Sequence, residues 1–171
     1  RRQRQMCIRD RYNPDNNPNL ESDIRPGTAM TWHVGQHSSR MKLGQKVYLW
    51  RAAGEKKRLS GIVATSSIQD GPAIRQQYTQ HLGEKRKMDA GDPKLCALLR
   101  IEEVFLGDKK MLLKETLKSD AVLNDLEILT MARHTNYPID DDAQAVRFTE
   151  LLRLEAKPTH PVYKDFGEAP N

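Results

Sequence analysis

The clearest alternation of apolar and other positions falls in residues 46–52, KVYLWRA. Val47, Leu49 and Arg51 point one way and Tyr48, Trp50 and Ala52 the other, which predicts a strand with one aliphatic and one aromatic face. Leu43-Gly44-Gln45 forms the turn into it. A polar connection over residues 54–58 leads to a second strand-like run, 61–68, expected to pair with the first as a hairpin-like unit. That second run sets Gly61, Ala64, Thr65, Ser66 and Ser67 against larger residues, so it can pass close to a neighbour or a ligand; tight barrel packing would need the same pattern. Residues 95–105 resume strand character, with Ala97, Leu99 and Ile101 alternating against Leu98, Arg100 and Glu102, and are expected at the centre of the sheet.

Elsewhere the period is broken or helical. Residues 13–29 are rich in Asn, Pro and Asp and read as an irregular surface loop without a core element. Residues 69–94 are polar and interrupted by Gly71-Pro72, Gly83, Gly91 and Asp92-Pro93, which predicts a long loop carrying the basic cluster Lys85-Arg86-Lys87. After Gly107 the pattern turns to short helices. The strongest helix covers residues 140–152, opening with Asp140-Asp141-Asp142 at its positive end and placing Ala145, Phe148 and Leu152 on one face. The acidic triplet is a cap and dipole partner, because no Gly or distal Glu follows at calcium-loop spacing.

Composition adds limits. A chain of 171 residues with 37% hydrophobic and 30% charged positions suits one ordinary soluble domain. No run of about eighteen apolar residues and no secretory-type opening occurs, so the cytoplasm is the default compartment and no membrane partner is expected. Cys7 and Cys96 make neither a disulfide framework nor a zinc site alone. The net charge of +5 is concentrated at the start: residues 1–11 hold five Arg and one Asp, leaving 23 Lys plus Arg against 22 Asp plus Glu. That opening, RRQRQMCIRDR, resembles the conceptual translation of a sequencing adapter and is read as an artefactual basic segment. The resulting division is 1–11 artefactual segment, 12–29 loop, 30–154 domain and 155–171 tail.

Candidate chemistry gathers in residues 31–64. Both tryptophans stand here, beside Gln36, His37, Tyr48 and Arg51. Large aromatics around a turn suit a built pocket, and equally an ordinary core. His33 and His37 stand four apart, but no intervening Glu of the H-E-x-x-H kind accompanies them, so no metal site is expected. No nucleophile elbow, P-loop or Cys/His arrangement appears, which argues against an enzyme and against a bound cofactor.

Taken in order, W-x-V-x-Q-H, M-K-x-G, V-Y-L-W-R-A and G-I-V-A resemble the EVE domain of the PUA-like superfamily, in the form associated with prokaryotic restriction and nuclease systems. Trp32, Val34, Gln36, His37, Met41, Lys42, Gly44, Val47, Tyr48, Trp50, Arg51, Gly61, Ile62 and Ala64 carry the likeness. A weaker stretch, LLKETLKSDAVLNDLEIL followed by TNYPID, extends it to cover residues 30–154. Two departures stand out. Gln45 occupies the place after the turn glycine where the family usually has Asp, with little functional effect expected. The family also begins with a hydrophobic strand, and nothing in residues 1–29 reads as one, so that strand is expected to be missing.

The resemblance implies an α+β fold, a twisted PUA-like β-barrel with surrounding short helices and a C-terminal helix, acting as a nucleic-acid reader. A modified nucleobase, flipped from its stack, would enter an aromatic pocket. Trp32, Trp50 and Tyr48 would supply walls, Gln36 and His37 would bond a base edge, and Arg51 a phosphate or base oxygen. DNA is favoured over RNA as partner, with a nuclease or ATPase encoded nearby as effector. The alternative is a protein-interaction or RNA-binding module without modification specificity.

Overall fold

The computed structural model describes residues 6–12, 20–34, 41–55, 59–87, 92–130 and 136–159. The element order is β1 (Met6–Tyr12), α1 (Leu20–Asp23), β2 (Ala29–His33), β3 (Lys46–Arg51), β4 (Gly61–Arg75), β5 (Tyr78–His81), β6 (Glu84–Lys87), β7 (Lys94–Val104), β8 (Leu112–Leu113), α2 (Lys114–Ser119), α3 (Glu127–Thr130), β9 (Asn136–Ile139) and α4 (Asp142–Glu155). Among the described residues no helix is long and apolar enough to cross a membrane.

The strands form one sheet in the order β6-β5-β2-β7-β4-β3-β1-β9, with β8 beside the start of β4. The expected β3–β4 hairpin is present: Lys46 pairs with Ser67 and Arg51 with Gly61, with a register shift between Leu49 and Trp50. Its turn closes as the chain needs. Gly44 takes φ of 76°, and the Gln45 side chain accepts from the Lys42 N–H at 3.3 Å, so Gln45 itself stabilises the turn. As expected, β7 is central, pairing with β2 on one side and β4 on the other.

Two cores flank this sheet. Val47 and Leu49 of β3 pack with Met30 and Trp32 of β2, Val63 and Ile68 of β4, and Leu99 and Ile101 of β7. These residues occupy one face of four neighbouring strands and form the core on that side of the sheet. The alternate residues Tyr48 and Trp50 join Ile62, Leu112, Leu117, Leu123, Tyr137 and Phe148 in a second core, where the helices cover the outside of the barrel. Helix α4 starts as its sequence predicts: the Asp141 side chain accepts from the Gln144 N–H at 2.9 Å, and Phe148 and Leu151 are buried.

Three expectations are corrected. Residues 6–12 form β1, parallel to β3 and antiparallel to β9, so a strand does occupy the first place of the fold. Residues 13–29 include a core contribution, because Leu20 and Ile24 are buried in the barrel core. Residues 69–94 are not one long loop: β4 runs on to Arg75, and β5 and β6 follow as a hairpin turning at Leu82 and Gly83. β4 passes Gly71-Pro72 by shifting register between Ile68 and Asp70 and again between Asp70 and Ala73. Such bulges let a strand carry a proline that has no N–H to donate. The chain after α4 is also anchored at first, since the Thr159 N–H donates to the Val104 carbonyl at 2.7 Å and its hydroxyl to that of Leu106 at 2.8 Å.

Candidate nucleic-acid interface

Trp32 lies in β2, and its alternation with Thr31 and His33 turns the indole inward. The ring sits in the barrel core at 5% exposure, together with Val34 and Met41. Its Nε1–H is buried and has no hydrogen-bond partner, the sole such side-chain atom among the described residues. A buried donor left unpaired costs about 1 to 3 kcal/mol, and native structures hold few of them. Such a group is a strong position for a ligand acceptor, because binding would recover what folding gave up.

Gln36 and His37 lie outside the described residues. In sequence they fall between Val34 and Met41, both of which pack in the cluster that contains Trp32. The Val34 N–H donates to the Leu95 carbonyl at 2.9 Å, which anchors the chain immediately before that segment to β7.

Tyr48 and Trp50 are not brought together with Trp32. Both point to the opposite side of β3, at 3% exposure each, and belong to the second core. The Tyr48 ring meets Phe148 of α4 with centroids 4.6 Å apart and planes tilted by 58°, an ordinary aromatic packing geometry. Burial raises the Tyr48 hydroxyl to a pKa of about 12, against a partly offsetting hydrogen bond with Thr149. This phenol is a neutral core group.

Arg51 is equally committed. Its Nε and Nη2 donate to the Leu59 carbonyl at 3.1 and 3.0 Å, and its other contacts run to Glu21 and Asp108, each at 3.3 Å. Glu21 in turn accepts from the Tyr12 hydroxyl at 2.9 Å. The guanidinium, 7% exposed, therefore ties the end of β3 to α1 and to the loops that hold Leu59 and Asp108. The signal available in sequence was the spacing of Arg51 against Trp50, which already sets them on opposite sides of the strand.

Among the described residues no three His, Cys, Asp or Glu side chains gather where a metal ion would sit. Cys96 is buried beside Trp32's strand, and burial pushes its thiol pKa up, away from a reactive thiolate.

No protein-family model matches this sequence, and neither does any curated protein. Solved structures do match. A protein from Pseudomonas putida superposes with a TM-score of 0.58 at 16% identity, covering 86% of this chain and 99% of its own. A protein from Leishmania major gives 0.58 at 12% identity, covering 88% and 95%. Human THYN1, solved in complex with DNA containing 5-methylcytosine, gives 0.55 at 15% identity, covering 90% and 98%. The DUF55 domain of human thymocyte nuclear protein 1 also matches. The chain thus shares the fold of these structures, the DUF55 domain among them, over most of its length, with an α+β arrangement of one sheet and a C-terminal helix.

Proposed function

We propose that this chain is a nucleic-acid-binding module that reads a modified nucleobase, held in the barrel at Trp32. The observation that carries the reading is the buried, unpartnered Trp32 Nε1–H. The likeness in fold to a protein solved with 5-methylcytosine-containing DNA supplies the class of ligand. Gln36 and His37, next in sequence, are assigned to the base edge. Tyr48, Trp50 and Arg51 are assigned to holding the barrel rather than to the ligand, on the contacts they make.

Magnitudes constrain how such a reader works. Flipping a base from a duplex costs a few kcal/mol, while stacking on one aromatic ring returns roughly 1 to 3 kcal/mol. With Trp50 and Tyr48 turned away, stacking on Trp32 alone does not cover the cost comfortably, and the indole N–H bond to a base acceptor makes up the difference. Because that N–H is buried in the free protein, an entering base must displace what covers it. A methyl group adds about 0.8 kcal/mol, near a fourfold preference. A polar modification that meets Gln36 or His37 gives sharper discrimination, since a mismatch leaves a buried polar group unpaired.

In this reading the protein recognises and does not cut, and it would supply specificity to a nuclease or motor ATPase encoded nearby, as in a restriction or defence system. The test is binding of matched duplexes with unmodified, methylated and hydroxymethylated cytosine by the wild type and by Trp32→Phe. The variant keeps an aromatic ring and loses the donor. A modification preference in the wild type that shrinks in the variant supports the reading; equal binding of all three duplexes by the wild type sinks it for these bases.

A further inference from the structure

We propose that the part of the outer sheet face left open by α4 is a phosphate-contacting surface for duplex DNA, built on Lys85, Lys87 and Arg100. The register makes this face traceable. Lys85 of β6 pairs with Gln80 of β5, Gln80 with Ala29 of β2, Ala29 with Arg100 of β7, Arg100 with Ser67 of β4, and Ser67 with Lys46 of β3. Residues paired directly across strands share a face, so these six form one row across six strands. The row lies on the outer side, since Lys46 alternates with the core residue Val47 and Ala29 with the core residue Met30.

The row contains cations at its two ends and near its middle, separated by short or uncharged residues. At about 4.8 Å per strand, Lys85 and Arg100 stand roughly 14 Å apart along the sheet. That spacing corresponds to about four base-pair steps of a duplex, whose axis carries one charge per about 1.7 Å. One row away, Lys87 pairs with Tyr78 on the same face, and Lys85 Nζ sits 4.1 Å from the centre of the Tyr78 ring.

Charge balance favours a polyanion here. Lys46 is already bonded to Glu102, and Asp70 on this face is held by Arg75 at 3.0 Å. Lys85, Lys87 and Arg100 have no ion-pair partner among the described residues, and all three are exposed. Arg86, the middle of the basic run, points to the other face and binds Asp23, so the hairpin itself is fastened while its two lysines stay available. The end of the face toward Tyr48 is closed by Phe148 of α4, which sets the limit of the surface. The cations on this face would meet the nucleic-acid backbone. This contact deepens the reader reading without depending on a base preference, because phosphate contacts carry no sequence or modification information.

The experiment compares full-length Lys85→Ala/Lys87→Ala/Arg100→Ala with Lys109→Ala/Lys118→Ala/Lys157→Ala, which removes the same charge from exposed positions elsewhere. Binding of an unmodified 20-base-pair duplex is followed across a salt series, after thermal melting confirms that both variants fold. We expect the first variant to lower the slope of log affinity against log salt by about 2 to 3, since each lost phosphate contact is worth about 0.9. Affinity at low salt should fall at least tenfold, and the second variant should change the slope by less than 1. Equal effects of the two variants, no effect of the first, or equally strong competition by polyglutamate would overturn the surface. A modified duplex run in parallel separates the two ideas: its preference over the unmodified one tests the pocket, and the salt slope tests the face.

Discussion

Trp32 and Trp50, the chain's two tryptophans, face opposite sides of one sheet. Trp32 packs with Val47 and Leu49 inside the barrel, and Trp50 packs with Ile62 and Leu112 beneath the helices. The two rings therefore answer differently to substitution. Trp50→Ala removes a buried aromatic from a packed core and should cost about 3 to 5 kcal/mol. Trp32→Phe keeps a ring and removes an unpaired donor while trimming a buried ring, so its cost should be about 1 to 3 kcal/mol, below that of Trp50→Ala. Urea unfolding of both variants checks the contrast, and similar losses for the two would contradict the division into a structural and a ligand-facing tryptophan.

Arg51 is a structural clamp. Arg51→Ala leaves the Leu59 carbonyl without its guanidinium donors and loses the Glu21 contact, and should cost about 1 to 3 kcal/mol in urea unfolding. Arg51→Lys keeps the charge but not the paired N–H donors, so it should lose much of the same stability. Neither should change DNA affinity when measured on folded protein. A loss of affinity in a well-folded Arg51→Lys variant would return this residue to the interface.

Gly61 and Gly44 should separate two reasons for a glycine. A Cβ at Gly61 would stand 2.2 Å from the Leu112 carbonyl oxygen, so Gly61→Ala must push β8 off β4. A Cβ at Gly44 meets nothing within 4 Å, and only its φ of 76° opposes the change. We expect Gly44→Ala to cost about 1 to 2 kcal/mol and Gly61→Ala clearly more. Thermal melts rank the two directly.

Legibility in the sequence followed the side chains that pay for burial. β3, β7 and α4 were readable because Val47, Leu49, Leu99, Ile101 and Phe148 are apolar at the right period and end up buried. β1 was not, since three of its seven residues are charged and its place is set by backbone pairing to β3 and β9. The β5–β6 hairpin was hidden similarly: it is an edge, where polar and basic residues are normal, and Gly71-Pro72 masked the continuity of β4. For the site, the spacing of Tyr48, Trp50 and Arg51 told which sides of the strand they take, but not which side the helices cover. The unpaired indole donor of Trp32 depends on its three-dimensional surroundings and has no signature in a linear chain.

His81 links the hairpin to the entry of β2, with Nδ1 2.9 Å from the Thr28 hydroxyl. Burial lowers its pKa, with the nearby Arg25 charge acting in the same direction. The unfolded chain therefore binds a proton more readily than the folded one, and stability present above pH 6.5 should fall as pH drops through the region between the two values. Urea unfolding at pH 8 and at pH 5.5 should show this loss, and His81→Gln should remove that part of the pH dependence. An unchanged pH profile in the variant would show that other groups carry it.

The central claim is that a modified base reaches the Trp32 indole. Its most direct test is titration of the full chain with matched duplexes carrying unmodified, methylated or hydroxymethylated cytosine, followed by tryptophan fluorescence in the wild type and in Trp32→Phe. The account predicts quenching that is stronger with a modified duplex and that disappears in the variant, where Trp50 remains as a buried internal reference. Identical responses to all three duplexes, or quenching that persists unchanged in folded Trp32→Phe, would contradict it.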